Sequence, residues 1–400
     1  MRETTIKNNN IIGKVLLAAI FLATFPMAIR NTGLSLLLLV YIGGKIYYQD
    51  FSISKNSLNK YIIIFFLFSI FSLLKAVDLN RSLDFLFSPI FRYAGFYFIA
   101  FDLINLKEIE KYIYIIFTSK LVMIIYGFLL ENIWDGRFFR GSNARSAFGG
   151  FLVLFALTLL FTGDNKIYHK VIYVLAIILG IMGLTTQSRG AVVGFLVGFG
   201  IWSILILYKK FSWRKFVTLI IIIILLLIPI MRSERLMEDF RNLQDYRTDI
   251  ETRTNMWTVS IDLIRNNPIL GVGIGNFKPV AFEHGKDMLG EQPWGERHQH
   301  PHNLYLHIAV EQGIISLMIF FIIIFISYKI SIKNYLMSKI DDWSFFTAVT
   351  FISMSSALLT QSFVSFVTKR SYNGIILLVL LILNFKFLAS REFETPEGEN

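Results

Sequence analysis

The sequence of 400 residues contains no cysteine, and only 17% of its residues are charged. The absence of cysteine excludes disulfide bonds and thiolate metal ligands, and it is weakly compatible with an oxidising compartment. No internal repeat or low-complexity tract stands out. Hydrophobic residues, in contrast, make up 54% of the chain and include 39 Phe. This composition excludes a soluble globular protein and indicates a membrane protein.

Apolar runs of the length that crosses a bilayer as a helix recur along the chain. They predict an all-α polytopic membrane protein with about twelve transmembrane helices. The runs are approximately 11–29, 33–48, 61–77, 85–103, 112–130, 146–162, 168–186, 190–208, 216–231, 303–328, 343–366 and 372–388. No small-residue cleavage site follows the first run, so we interpret it as an uncleaved span rather than a signal peptide.

The basic residues between the runs predict the orientation, because short cytoplasmic loops are rich in Lys and Arg. With twelve spans, this rule places both termini in the cytoplasm and the long polar segment 232–302 outside. In a bacterium with two membranes, the outside is the periplasm, and the chain then lies in the inner membrane. The predicted parts are nine transmembrane helices in 1–231, a periplasmic loop domain in 232–302 with an amphipathic helix near 252–266, three transmembrane helices in 303–390, and a cytoplasmic tail in 391–400.

The net charge of +11 has two readings, nucleic-acid binding and contact with anionic lipid. The topology already explains the cytoplasmic basic residues and leaves no folded cytoplasmic domain to read bases, so we expect no nucleic acid as a partner. Most arginines fall outside or within spans, and a guanidinium grips phosphate oxygens in pairs. We therefore expect a phosphate-bearing lipid on the external face. That face carries no aspartate-rich metal motif, so arginines would balance a pyrophosphate charge.

Two external arginines are candidates for that role. Arg189 follows a polar turn and would begin a helix, where unpaired backbone N–H groups already favour an anion and Ser188 is a plausible cap. Arg253 lies in a helix that Thr248 and Glu251 would open as a capping box and that 266–268 would end. The apolar face of that helix suggests that it lies on the membrane or the bundle mouth. A lipid-snorkelling Arg189 and a solvated Arg253 stay open as alternatives.

The third candidate is the histidine cluster at the end of the polar segment, which holds His298, His300 and His302. Histidine exchanges a proton near neutral pH, and we favour His302 as a general base, with Asn303 capping the next helix or orienting the ring. His300 is a candidate substrate-binding residue. The alternating spacing also permits a metal site, but Pro301 and the missing carboxylate disfavour it, so we expect no metal. A purely structural His302 is a further alternative.

Other basic residues carry weaker indications. Arg92 and Lys120 lie inside predicted spans, where a charge usually lines a cavity or pairs internally, and Arg92 is a candidate substrate-binding residue. Arg137, Arg140 and Arg145 interleave with aromatic residues, a pattern that suits a phosphate beside an isoprenoid or a sugar, and equally an interfacial anchor. The glycines of 269–277 follow a helix rather than a strand, which excludes a dinucleotide-binding loop. They predict tight turns, followed by an irregular stretch over 278–297.

Several segments together resemble a known family. His302-Asn303, nine further residues and then Gly313-Ile314-Ile315-Ser316 is similar to the histidine signature of the bacterial O-antigen ligases and the related polysaccharide polymerases. Ser316 departs from the small or aromatic residue expected at that place. The stretches 186–190, 253–257 and 267–277 also resemble family segments. The specific motifs cover about a fifth of the chain.

The resemblance implies a metal-independent, inverting glycosyl transfer in lipopolysaccharide biosynthesis, on the periplasmic side. A glycan on undecaprenyl pyrophosphate would move to a sugar hydroxyl of lipid A core, with Arg189 and Arg253 holding the pyrophosphate and His302 taking the proton of the hydroxyl. No cofactor is expected. The polymerase uses the same donor but extends another lipid-linked glycan, and the single large external loop favours the ligase. A lipid-linked oligosaccharide flippase would change no bond and would not need the histidine signature.

Overall fold

The computed structural model describes residues 10–133, 142–162, 166–184, 188–209, 211–213, 217, 243–289, 300–364 and 373–394. Across these residues the regular secondary structure is helical. The α-helices are α1 (Asn10–Leu22), α2 (Met27–Tyr47), α3 (Asn59–Phe71), α4 (Leu79–Phe85), α5 (Phe91–Leu103), α6 (Ile109–Ile133), α7 (Ser142–Thr162), α8 (Ile167–Leu184), α9 (Arg189–Lys209), α10 (Leu243–Asn266), α11 (Phe277–Leu289), α12 (Leu304–Met337), α13 (Trp343–Gln361) and α14 (Gly374–Glu394).

Five of the described helices, α8, α9, α12, α13 and α14, are long and apolar enough to cross a membrane. The expected class, a helical multi-pass membrane protein, is thereby confirmed in outline. The count of twelve spans stays a prediction, because the ninth run, 216–231, lies outside the described residues apart from Val217.

The first apolar run is divided where the sequence predicted one continuous span. Helix α1 ends at Leu22, and Pro26 stands immediately before α2, which begins at Met27. A proline restricts the residue before it and suits the start of a helix, so it separates two helices at this point. The second helix therefore begins six residues before the predicted start at position 33.

Helix α13 is the central element of the bundle. Its side chains are buried over most of its length, and it packs along α9, α12 and α14. The contact with α9 is close because Gly194 carries no side chain: a Cβ there would lie 2.4 Å from the carbonyl oxygen of Ala357. Small residues allow helix backbones to approach in this way. The C-terminal end of α13 is thereby held between its neighbours.

The two helices of the polar region differ from the sequence prediction. Helix α10 begins at Leu243, before the expected capping box at Thr248, and it ends at Asn266 as predicted. The irregular stretch predicted from position 278 is wrong up to position 289, since α11 occupies these residues. Positions 290–297 lie outside the described residues. The backbone N–H groups of Phe277, at the start of α11, and of Gly275, just before it, donate to the carboxylate of Glu311 in α12, a partner far along the chain.

Helix α12 is longer than the predicted span 303–328 and is kinked. Gly313 has φ 84° and ψ 168°, which divides the helix into a segment 304–312 and a longer apolar part. The conformation requires glycine, because a Cβ at position 313 would lie 1.9 Å from the carbonyl oxygen of Ile269. Beyond the kink, the backbone N–H of Ile314 donates to the carbonyl of Pro268, 2.8 Å away. The loop after α10 thus sets the direction of the 304–312 segment.

Candidate active site

His302 immediately precedes the capped start of α12. Its φ is +51°, in the left-handed region that a residue with a side chain rarely adopts. The side-chain oxygen of Asn303 accepts hydrogen bonds from the backbone N–H groups of Tyr305 (2.9 Å) and Leu306 (3.1 Å), so the predicted helix cap is confirmed. The His300 ring lies against the His302 ring, with centroids 4.7 Å apart and planes at 90°. Such backbone strain is typical of functional positions.

The end of α13 is the common attachment point of the candidate site. We call residues 361–364, where α13 ends in a turn, the 361–364 turn. The backbone N–H of Leu304 donates to the carbonyl of Ser362 at 2.9 Å. One residue further, the Tyr305 hydroxyl donates to the carbonyl of Leu359 at 2.9 Å. These two contacts fix the start of α12, and with it the segment after His302, against α13.

Arg253 reaches the same turn from α10. Its Nη1 donates to the carbonyl oxygen of Val364 at 3.2 Å, and the residue is half-buried. One turn further along α10, the indole N–H of Trp257 donates to the carbonyl of Pro301 at 2.8 Å, directly before His302. Arg253 lies in the third turn of α10, whereas the sequence predicted the first turn. Its contact with Val364 differs from that expected of a solvated surface arginine. Helix α10 therefore touches both the turn and the histidine segment.

Arg189 stands at the first position of α9, as predicted. The hydroxyl of Ser188 accepts from the backbone N–H of Ala191 at 3.2 Å, which confirms Ser188 as the cap. The next residue, Gly190, lies directly against the turn, since a Cβ there would be 2.6 Å from Cγ2 of Val364. The preceding stretch, 185–187, lies outside the described residues.

The structure therefore brings the chain segments that carry Arg189, Arg253 and His302 to the 361–364 turn. Arg253 contacts the turn directly. Arg189 is next to Gly190, and His302 is two positions before Leu304, and both of these neighbours contact the turn. Two guanidinium groups supply permanent positive charge, and an imidazole is a base near neutral pH. The arrangement can stabilise an anionic leaving group and accept a proton from a nucleophile.

An apolar cavity of about 350 Å³ lies beside the 361–364 turn. It extends from α12 and the end of α13 to α3, α5 and α14, and most of its wall is Phe, Ile and Leu. Leu304 and Ser362, which join α12 to the turn, belong to the wall, as do the polar side chains of His307, Glu311 and Gln312. The cavity can accept a hydrocarbon group next to the charged residues.

The loop 271–277 and Glu311 were not identified from the sequence as parts of the site. Gly271, Gly273 and Gly275 all have positive φ, which agrees with the predicted tight turns. The buried side-chain amide of Asn276 accepts from the backbone N–H of Asp78 (2.7 Å) and donates to the Ser82 hydroxyl (2.6 Å), which connects the loop to α4. An acidic residue inside a predicted span was the signal that could have singled out Glu311.

The remaining predicted residues are not joined to the 361–364 turn by these contacts. Arg92 is half-buried near the start of α5 and interacts electrostatically with Arg30 and Asp84. Lys120 is fully buried and donates to the side-chain oxygen of Asn373 at 2.7 Å, so its internal pairing is confirmed. Arg137 and Arg140 lie outside the described residues, as does the Arg145 side chain, although its backbone belongs to α7.

A metal site can be assessed only over part of the chain. Among the described residues, no group of three or more His, Asp or Glu side chains is arranged to hold a metal ion. The alternating cluster considered from the sequence also needs His298, which lies outside the described residues. His300 and His302 are neighbours, as that alternative required.

The apolar helices and the charged residues near the end of α13 define a multi-pass helical membrane protein with a polar candidate site. Residues 173–321 match the model of a protein family described as O-antigen ligase. This match supports membership of the superfamily of O-antigen ligases and polymerases, the family that the motifs resemble. The matched segment contains Arg189, Arg253 and His302, whereas the 361–364 turn lies beyond it.

The matched family has a known general activity. Its members are glycosyltransferase-like enzymes of lipopolysaccharide and glycan assembly, and they act on lipid-linked glycans. No curated protein matches the chain.

Proposed function

We propose that the protein is an O-antigen ligase. It transfers a glycan from undecaprenyl pyrophosphate to a sugar hydroxyl of lipid A core, on the periplasmic side of the inner membrane. The observation that carries this proposal is the convergence of the segments of Arg189, Arg253 and His302 on the 361–364 turn, in a chain that matches the O-antigen ligase family model over residues 173–321.

The mechanism follows from the charges at the turn. His302, as neutral imidazole, takes the proton of the acceptor hydroxyl while its oxygen attacks the anomeric carbon of the donor sugar. The bond from that carbon to the pyrophosphate oxygen breaks with inversion, and Arg189 and Arg253 stabilise the departing pyrophosphate. His300 and Asn303 stand beside His302 and act in substrate binding and orientation. No metal ion or nucleotide enters these steps.

A further observation supports a lipid-linked donor. The apolar cavity beside the turn offers room for hydrocarbon next to the cationic groups. The positive φ of His302 is separate support for a role of this residue in the reaction, because rarely populated backbone conformations cluster at active sites. Arg92, Arg137, Arg140 and Arg145 are proposed to contact the phosphates or sugars of either substrate.

The test uses purified protein, a glycan on undecaprenyl pyrophosphate, purified lipid A core and a metal chelator. We expect the protein to attach the glycan to the core, and we expect the His302→Ala variant to lose this activity. Longer lipid-linked chains without modified core would identify a polymerase instead. If the protein forms neither product but moves the lipid-linked glycan across a bilayer, it is a flippase. Transfer that stops when chelator is added would contradict the metal-independent mechanism.

A further inference from the structure

A buried carboxylate joins the segments that carry the candidate catalytic residues. Glu311, in the 304–312 segment of α12, is only 2% exposed. Its Oε2 accepts from the backbone N–H of Gly275 at 2.7 Å, and its Oε1 accepts from the backbone N–H of Phe277 at 3.0 Å. Oε2 also lies 3.3 Å from Nε2 of His307. A buried carboxylate is costly unless its oxygens accept hydrogen bonds, so these contacts hold the loop at one position on α12.

The backbone of the loop follows α12 closely at the same place. The N–H of Val272 donates to the carbonyl of Val310 at 2.8 Å. A separate apolar cluster fills the space between the loop, α10, α11 and α12. Its buried members are Val259, Leu263, Val272, Phe277, Ala281 and Val310. The Glu311 contacts come from a side chain, so they can be removed without changing the backbone on either side.

The loop is the continuation of α10, which carries Arg253. The side chain of Trp257 joins α10 to Pro301, which lies before α12, and the side chain of Glu311 joins the loop after α10 to the 304–312 segment of α12. The unit formed by α10, the loop and α11 is therefore attached by side chains at two separate points, one before the start of α12 and one after it. A rotation of this unit about one point is prevented by the other.

We propose that Glu311 is a positioning residue for the transfer reaction. Its carboxylate locks the 271–277 loop and the start of α11 onto α12, and so it sets the distance between Arg253 on α10 and His302 before α12. The inference rests on the proposed function. A base and a cation that act on the same reacting complex need a fixed separation, and a displacement of about 1 Å can lower a rate about a hundredfold.

The first test is Glu311→Gln, which keeps the size and removes the charge. A glutamine offers one oxygen and one NH₂ group, so one of the two backbone N–H groups would face a donor. We expect kcat per folded protein to fall about a hundredfold, with little change in KM for the lipid-linked donor. The control is Asp102→Asn, because Asp102 is also 2% exposed and lies at the opposite end of α5 from the cavity-lining Tyr93. Its kcat should stay unchanged.

A second test reads the position of α11 without an activity assay. The chain contains no cysteine, so Ala281→Cys introduces a single thiol at a site that is 2% exposed. A water-soluble maleimide should leave this thiol unlabelled in the Ala281→Cys protein. It should label the thiol when Glu311→Gln is combined with Ala281→Cys. The combination with Asp102→Asn should stay unlabelled. Phe282→Cys, at an exposed neighbouring position, should be labelled in every background.

The results separate the two proposals. An unchanged kcat in Glu311→Gln, or continued protection of Cys at position 281 in that variant, would overturn the positioning role. If the wild-type protein, with Glu311 in place, transfers no glycan, the proposed function is wrong. The labelling result alone then decides whether Glu311 holds the loop.

Discussion

The guanidinium of Arg253 donates a hydrogen bond to the carbonyl oxygen of Val364, across 3.2 Å and 111 positions of sequence. The contact joins α10, from the polar region, to the turn at the end of α13, a helix that is buried over most of its length. Because Gly190 packs on Val364 and Leu304 binds Ser362, this one turn relates the positions of three separate segments.

The first prediction concerns the geometry of the two arginines. Arg253→Lys and Arg189→Lys should each lower the rate of glycan transfer by about two orders of magnitude, because an ammonium group cannot grip two phosphate oxygens in the fork geometry of a guanidinium. In Arg253→Lys the contact with Val364 would also be weakened. Initial rates with a lipid-linked glycan measure the effect.

The matched control for these variants is Arg265→Lys, at an exposed position in the last turn of α10. It should keep full activity. Full activity in Arg189→Lys would remove Arg189 from the pyrophosphate site and favour the membrane anchor.

The second prediction concerns His302. Asparagine accepts positive φ more readily than most residues, so His302→Asn should keep the backbone at φ +51° while removing the base. We expect transfer to fall about 10²- to 10⁴-fold, the usual contribution of a general base, without loss of thermal stability. Retained activity in this variant would show that His302 is structural.

The third prediction is the dependence of transfer on pH. A protonated imidazole cannot accept the proton of the acceptor hydroxyl, so the rate should decline as pH falls through the imidazole pKa, about 6.5 for an unperturbed histidine. The measurement is the rate from about pH 5 to 8 at saturating donor, with donor binding followed separately. A flat profile at constant binding would be inconsistent with His302 as the base.

The fourth prediction concerns the kink in α12. Gly313→Ala should strongly reduce both thermal stability and transfer, because the added Cβ would lie 1.9 Å from the Ile269 carbonyl oxygen and φ 84° is unfavourable for alanine. Gly200→Ala is the control, since a Cβ there meets nothing within 4 Å. It should leave both quantities unchanged or raise stability by about 0.5–1 kcal/mol, the usual effect within a helix. Equal behaviour of the two variants would contradict this account of the kink.

The fifth prediction concerns a buried ion pair away from the site. Nζ of Lys45 lies 2.8 Å from Oδ2 of Asp102, and Tyr41 and Ser54 donate to the same carboxylate. Asp102→Ala should lower the free energy of unfolding by up to about 3–5 kcal/mol, because the buried ammonium loses its nearest carboxylate. Lys45 would keep the Ser52 carbonyl at 2.6 Å and Asp50 at 3.7 Å, which reduces the loss.

The double variant Lys45→Met with Asp102→Leu is the comparison for that pair. It should be less destabilised than Asp102→Ala, because no charge is left buried. Thermal unfolding in detergent distinguishes them, and a single variant more stable than the double one would contradict the explanation.

Local sequence patterns predicted several parts of the site. Ser188 and Asn303 cap their helices, and α10 ends at Asn266, since each of these outcomes depends on residues within a few positions of one another. The pairing of Lys120 is one of the two outcomes, lining a cavity or pairing internally, that the cost of a charge inside a span predicted. In contrast, α11 and the kink at Gly313 were missed, because both depend on contacts between the loop after α10 and α12.

The sequence by itself determined the class of protein, the apolar helices and the residue types of the site, because hydrophobic length and short-range capping are properties of neighbouring residues. Only the tertiary structure decided that Arg189, Arg253 and His302 share the 361–364 turn and that Glu311 ties the loop to α12. These relationships join segments far apart in the chain, and they depend on how the helices pack, which no local pattern encodes.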